Sequence, residues 1–144
     1  MDTESNKDIV RRFYEEIVNT GKTKKIADFI SPDIIETDGV VRIQSGIEGM
    51  IEHVRGVRET YPDLKLTIER QIAEGDWVVS IITARGTHLG EWIGIAPTGR
   101  KLVYGGVNVD KVVDGKMVEH GGAANILSPL LEIGAIKAVG PSET

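Results

Sequence analysis

The chain lacks cysteine, has few histidines and carries no excess of positive charge, and each shortage excludes a class of function. Without cysteine, its 144 residues form no disulfide framework, thiolate nucleophile or cysteine-ligated zinc site. Three histidines leave little for any other metal site. The formal net charge of −5, with Lys and Arg scattered among acids, argues against nucleic acid as a partner.

Long apolar runs are also missing. No stretch approaches the about 18 residues that a membrane-spanning helix needs, and residues 1–8 lack the basic and then apolar order of a signal peptide. The sequence therefore predicts a soluble cytoplasmic protein with no membrane partner. Its length is typical of one domain that buries its core without disulfides or metal, so a single domain is expected over residues 1–144, with a loose tail from about 140.

Apolar residues at helical spacing predict three helices in the first half of the chain. Ser5 and Asp8 have the spacing of a capping box, and an apolar stripe of helical period follows them. A short second helix is expected from Thr23 to the residue before Pro32, because that position disfavours helix. The third helix is expected over residues 47–61.

Strand-like alternation follows the third helix. Four strands are expected after the third helix as a meander, over residues 64–68, 76–87, 101–113 and 116–120. Two short strands are expected before the third helix, and a short helix is expected within 126–136. Helices first and strands afterwards do not give βαβ alternation, so the fold class is α+β, with helices packed on one face of a mostly antiparallel sheet. If such a sheet curves strongly around the third helix, it encloses a cone.

Two motifs carry a family resemblance. Residues 86–100 form an extended stretch that breaks at Gly90 and passes through an Ala-Pro-Thr-Gly turn, and residues 114–120 read Asp-Gly-Lys-Met-Val-Glu-His. With these motifs, nearly the whole chain resembles the SnoaL-like family of polyketide ester cyclases, which has the nuclear transport factor 2-like fold. The resemblance implies N-terminal helices in the concave face of a strongly curved sheet, a deep apolar cavity, and assembly as a homodimer or homotetramer through the outer sheet face.

The resemblance also implies an activity and site positions. Characterised cyclases of the family close the last ring of a fused aromatic system by an intramolecular aldol step, without metal or cofactor. They use an aspartate on the last strand and a histidine on the preceding strand. Carried over position by position, the aspartate falls on Gly122 and the histidine on Asn108. Neither residue transfers a proton at neutral pH, so the chain departs from the family pattern at these two positions.

Two titratable residues lie one pleat away. Residues two apart in a strand share a face, so His120 lies on the side of Gly122 and Asp110 on the side of Asn108. We therefore take His120, Asp110 and Asn108 as the candidate catalytic residues. Gly122 is expected in the pocket beside them.

The turn at Asp114-Gly115 decides how these residues face each other. A two-residue loop would pair Val109 with His120, whereas a three-residue loop with Gly115 in a bulge would pair Asn108 with His120. Alternating valines favour the first register. The resemblance needs the positions of Asn108 and Gly122 in one pocket and favours the second, which is our expectation.

Four further residues are candidates for contact with a hydrophobic ligand. His53 lies on the apolar stripe of the third helix, where relatives can carry a polar residue that reaches the ligand; a structural role is the alternative. Trp92 and Tyr104 suit the wall of a cavity for a flat ligand, although large aromatics are as often core. His88 belongs to the first motif, where it either supports the loop or takes part in the site.

An acidic cluster precedes the third helix. Asp33, Glu36 and Asp38 have a spacing that suits metal binding or paired acid and base chemistry, but they lie in a turn-rich segment. Carboxylates there typically cap turns, which is the interpretation we favour. We expect no metal and no cofactor.

Two hypotheses for function follow. The first is a cofactor-independent cyclase or isomerase acting on a hydrophobic carbonyl compound, with His120 as acid or base. In this hypothesis Asp110 orients His120 or shares its proton, and Asn108 donates a hydrogen bond to an enolate oxygen. The second is a non-catalytic protein of the same fold that holds a small apolar ligand. A relative that hydroxylates aromatic polyketides is a further alternative.

Overall fold

The computed structural model describes residues 2–141 and places the helices against one curved, six-stranded sheet. The helices are α1 (Thr3–Arg12), which continues as a π-helical segment (Phe13–Val18), a 3-10 helix (Thr23–Asp28), α2 (Gly46–Thr60) and α3 (Leu127–Glu132). The strands are β1 (Ile30–Thr37), β2 (Arg42–Gln44), β3 (Lys65–Glu74), β4 (Trp77–Thr87), β5 (Lys101–Val113) and β6 (Lys116–Ala124).

The strand order is β2-β1-β6-β5-β4-β3, and every neighbouring pair is antiparallel except β1 and β6. The predicted α+β class, with helices on one face of a mostly antiparallel sheet, is confirmed. Of the predicted tail, residues 142–144 lie outside the described residues. No helix within 2–141 is long and apolar enough to cross a membrane.

The core lies between the helices and the concave face of the sheet. Phe13 and Ile17 from the π-helical segment, and Met50 and Val54 from α2, are buried against it. In β4 burial alternates strictly, with Val78 and its inward neighbours buried and the intervening residues more exposed. This alternation fixes which side chains of the sheet face the interior.

Two local predictions in the N-terminal half were wrong. The carboxylate of Asp2, not Ser5, caps α1, since it accepts the Ser5 backbone N–H at 2.7 Å. The segment expected to be helical up to Pro32 ends at Asp28, and Pro32 lies inside β1. Proline is tolerated there because the pairing of β1 with β6 is irregular between Ile30 and Ile35.

The three-residue loop that we expected at the β5–β6 turn is wrong, and the two-residue register holds only next to the turn. Asp114 and Gly115 form a two-residue turn with positive φ angles of 49° and 79°, closed by Val113 opposite Lys116. An extra residue, Val118, then bulges out of β6 between the Met117 and Glu119 pairings.

The bulge shifts the pairing by one residue. Asp110 lies opposite His120, and Asn108 lies opposite Gly122. Strict alternation from the inward Met117 would turn His120 outward, so the bulge is what aims His120 into the interior. The expectation that Asn108 and Gly122 share the inner face is met, by a different route.

Candidate active site

A cavity of about 310 Å³ opens between the helices and the inner face of the sheet. Most of its wall is apolar: Phe13, Val18, Met50, Val54, Val57, Leu64, Leu66, Ile82 and Ala84. A smaller polar set faces the same space: Tyr14, Glu36, Thr37, His53, Tyr104, Asn108 and His120. An oily chamber with a few convergent polar groups is the usual form of a small-molecule site.

His120 is the cavity residue that a buried hydrogen-bond network holds in place. Its Nδ1 lies 2.6 Å from Oδ1 of Asp110, which is fully buried, while 13% of the His120 side chain is exposed. The Tyr14 hydroxyl donates a hydrogen bond to the other carboxylate oxygen of Asp110. Because Nδ1 is held by the carboxylate, Nε2 is the ring nitrogen left for a ligand.

The environment of this triad sets its charges. Burial alone disfavours the imidazolium, but the charge and hydrogen bond of Asp110, together with the charge of Glu36, outweigh it and raise the pKa of His120. Burial and the Asp110 carboxylate raise the pKa of Tyr14 well above its ordinary value. Tyr14 therefore stays a hydrogen-bond donor, and His120 holds its proton to higher pH than a free histidine.

A second imidazole faces the same space. His53, from α2, bonds through Nδ1 to the Glu36 carboxylate of β1, and its ring centroid lies 5.7 Å from that of His120. Burial by itself raises the pKa of Glu36, but the hydrogen bond and charge of His53 outweigh it and lower that pKa. Glu36 is therefore a carboxylate at neutral pH.

Sequence reasoning missed Glu36 and Tyr14. Glu36 was interpreted as a turn cap together with Asp38, and that interpretation holds for Asp38, whose carboxylate accepts the backbone N–H groups of Val40 and Val41 at 2.8 Å each. Glu36 instead lines the cavity. Tyr14 lies in the apolar stripe of the first helix, and no local pattern predicts its hydrogen bond to Asp110, 96 residues away.

Asn108 and Gly122 approach each other too closely for a side chain at position 122. A Cβ on Gly122 would lie 2.3 Å from the carbonyl oxygen of Val107 and 2.8 Å from Oδ1 of Asn108. The position onto which the family's aspartate was carried therefore has no room for one. One pleat along, the titratable pair His120 and Asp110 is joined by a hydrogen bond.

Of the other three predicted ligand contacts, one lines the cavity and two do not. Tyr104 lines the cavity, as expected. Trp92 does not line it, but stacks on Tyr104 with ring centroids 6.3 Å apart and planes 14° apart. His88 is fully buried, and its Nδ1 lies 3.0 Å from the Thr98 hydroxyl. Trp92 thus packs against a residue of the wall, and His88 bonds within the loop. Contact of either residue with a ligand stays a prediction.

Within residues 2–141, no cluster of three or more His, Asp or Glu side chains is arranged to hold a metal ion. The chemistry that the described groups can perform is proton transfer and hydrogen bonding. Two imidazoles, each with a carboxylate on Nδ1, face one apolar space beside a carboxamide and a phenol.

The sequence matches a protein-family model and several known proteins. A model of the family described as SnoaL-like polyketide cyclase matches residues 8–133. Aklanonic acid methyl ester cyclase AcmA from Streptomyces galilaeus is 36% identical over 114 residues, covering 77% of this chain and 78% of that protein. Nogalonic acid methyl ester cyclase from Streptomyces nogalater is 31% identical over 104 residues, covering 71% and 78%.

A solved structure shares the fold over almost the whole chain. AclR from Streptomyces galilaeus, described as a candidate hydroxylase, superposes with a TM-score of 0.83 at 29% identity, covering 96% of this chain and 87% of that one. The family model and the solved structure therefore both match over most of the chain, including the elements that line the cavity. The chain belongs to the SnoaL-like polyketide cyclase family.

Proposed function

We propose that this protein is a cofactor-independent polyketide cyclase that closes a ring by an intramolecular aldol reaction, with His120 exchanging protons with the substrate. The observation that carries the proposal is the buried chain from Tyr14 through Asp110 to His120 Nδ1, which leaves Nε2 for the cavity. Such an arrangement fixes the tautomer and orientation of an acid or base.

The reaction needs little from the protein beyond position and proton transfer. A C–H bond between two carbonyl groups breaks, the carbanion attacks a ketone carbon of the same molecule, and the new alkoxide takes up a proton. No atom is gained or lost, so substrate and product are isomers. The apolar wall holds the two ends together, and the Asn108 amide donates a hydrogen bond to the enolate oxygen.

The names of two relatives and the lining of the cavity support one substrate class. Two relatives are named as cyclases of aklanonic acid methyl ester and nogalonic acid methyl ester. A flat, hydrophobic polyketide methyl ester suits a wall that is mainly aliphatic and that also includes Tyr104 and the small residues Gly121 to Ala124. We propose this class as the substrate.

The test is incubation of the purified protein with aklanonic acid methyl ester, followed by chromatography and mass spectrometry. We expect a product of unchanged mass and different retention. His120→Gln should lower kcat about 100- to 10,000-fold, the usual contribution of one acid or base. Glu52→Gln, an exposed residue of α2 paired with Arg55, is the control and should keep wild-type kcat. Equal turnover by His120→Gln would remove this residue from the mechanism.

A second candidate function is hydroxylation, and one observation favours it: the similarity to AclR, described as a candidate hydroxylase. The same assay separates the two. Hydroxylation adds one oxygen atom to the mass and requires dioxygen, whereas ring closure does neither. If the purified protein binds aklanonic acid methyl ester but does not convert it, the result would instead favour a non-catalytic binding protein.

We also propose that the protein assembles through the outer face of the sheet, as a homodimer or homotetramer. Apolar residues on that face are exposed: Ile72, Trp77, Ile81, Val103 and Val107. Ile81 and Val107 lie opposite each other on β4 and β5, so they form part of one patch. A second copy of the chain is the occupant that the family resemblance implies. A cytoplasmic location stays a prediction.

A further inference from the structure

The cavity holds two imidazole–carboxylate pairs that come from different elements. His120 and Asp110 face each other across β5 and β6, while His53 of α2 bonds to Glu36 of β1. In both pairs the carboxylate binds Nδ1, which leaves Nε2 of each ring for the substrate. The ring centroids are 5.7 Å apart and both rings line the cavity.

The two pairs differ in their surroundings. Asp110 is fully buried and also accepts the Tyr14 hydroxyl, and His120 is nearly buried, so this pair retains a proton. The His53 side chain is 43% exposed and that of Glu36 is 24% exposed, so this pair lies at the mouth, in contact with solvent. In the tautomer that donates Nδ1–H to Glu36, the His53 ring presents a lone pair on Nε2, which is the form that accepts a proton.

We propose that His53 is the catalytic base that removes the acidic carbon-bound proton, that Glu36 positions its ring, and that His120 delivers a proton to the carbonyl oxygen. This assignment rests on the proposed aldol reaction and gives each imidazole one direction of transfer. It also gives Glu36, which sequence reasoning assigned to a turn, a part in the reaction as a positioning residue.

The protons balance over one cycle. The C–H bond breaks and its proton goes to His53 Nε2, while the electron pair forms the new C–C bond. The carbonyl π electrons move to oxygen, which takes the proton from His120. The enzyme is left with His53 protonated and His120 neutral. His53, at the exposed mouth, returns its proton to solvent, and His120 regains one before the next turnover.

Exchange of a carbon-bound proton isolates the first half of this reaction. The probe is the methyl ester of tetralone carboxylic acid, a bicyclic β-keto ester with one acidic carbon-bound proton and no chain that can cyclise. In deuterated buffer, proton NMR measures loss of that signal above the buffer rate. We expect exchange with wild-type protein and with His120→Gln, and about 100-fold less with His53→Gln.

Three variants complete the design. Glu52→Gln, one residue before His53, is the matched control and should exchange like wild type. Glu36→Gln keeps the His53 ring but not its partner, so kcat for ring closure of aklanonic acid methyl ester should fall at least about 10-fold while KM stays within about two-fold. His53→Asn, a second replacement that cannot transfer a proton, should match His53→Gln. Circular dichroism checks that each variant is folded.

The outcomes separate this inference from the proposed function. Exchange that survives in His53→Gln but is lost in His120→Gln would overturn the assignment, as would wild-type protein that exchanges no faster than buffer. Exchange that depends on His53, without ring closure of the methyl ester by wild type, would support the base and reject only the substrate. Ring closure at the wild-type rate by His53→Gln would reject the base and leave the cyclase proposal standing.

Discussion

At the scale of single residues, the properties of His120 come from groups distant in sequence. Its ring is held by Asp110, ten positions earlier, and that carboxylate is held by Tyr14 from the first helix. A histidine beside a strand end is by itself an ordinary surface residue. Burial with a charged partner gives it a defined tautomer and a raised pKa, the features of a group suited to proton transfer.

The raised pKa predicts how stability depends on pH. The folded-state pKa of His120 lies above its ordinary value of 6.5, so the stabilisation from the His120–Asp110 pair is fully present below that value and is lost as pH rises through the folded pKa. The difference in unfolding free energy between wild type and His120→Gln should therefore be larger at about pH 5.5 than at about pH 9. Urea unfolding at both pH values measures it. A constant difference would contradict the shift.

At the scale of elements, two features place the site. The bulge at Val118 turns His120 to the inner face of β6 and sets it opposite Asp110. The π-helical segment after α1 carries Tyr14, and such segments often occur at functional sites. Both features add or shift a residue locally, and neither has a strong signature in one sequence.

The loop of the first motif is fixed to the end of α2. The backbone N–H groups of Leu89 and Gly90 both donate to the carbonyl of Thr60, at 3.0 and 3.1 Å. A Cβ at Gly90 would lie 2.0 Å from the carbonyl oxygen of Glu59, so only glycine fits this approach.

Two glycine replacements test this contact. Gly90→Ala should lower the free energy of unfolding by about 1–3 kcal/mol because the loop must move away from α2. Gly56→Ala, inside α2 with no described atom within 4 Å of the added carbon, should raise it by about 0.5–1 kcal/mol through helix propensity. Urea unfolding compares them. Equal effects of the two changes would show that the close approach at Gly90 does not constrain the loop.

At the scale of the whole molecule, the two faces of the sheet differ in what they present. The concave face lines the cavity, and the outer face presents exposed Ile and Val side chains on neighbouring strands. Apolar patches of this kind typically mark an interface. We therefore expect the catalytic cavity and the assembly surface to lie back to back on the same strands.

Assembly through the outer face predicts a charge-sensitive oligomer. Val107→Lys places an ammonium group in the middle of the patch, opposite Ile81, and should shift the protein toward the monomer. Sedimentation velocity measures the change. Val40→Lys is the control, because Val40 is 90% exposed in the β1–β2 turn, away from this face. An unchanged oligomer in Val107→Lys, or a monomeric wild type, would reject this interface.

The sequence by itself determined the class of the fold and most of its elements. Helical and alternating periods are local, so they place α2 within one residue at each end and both ends of β5 correctly. The family motifs and the candidates His120, Asp110 and Asn108 were also readable from the chain. The structure brings these three together, and their catalytic roles stay predictions.

Only the tertiary structure decided the register of the hairpin and the partners of each titratable group. The Tyr14–Asp110 bond joins residues 96 positions apart, and the His53–Glu36 pair joins α2 to β1. The bulge at Val118 lies within one hairpin, but no local period of the sequence marks it. Periodicity shows which face a side chain occupies, but not what it meets there. Which side chains come into contact depends on how the sheet curves around the helices, and packing of the whole core sets that curvature.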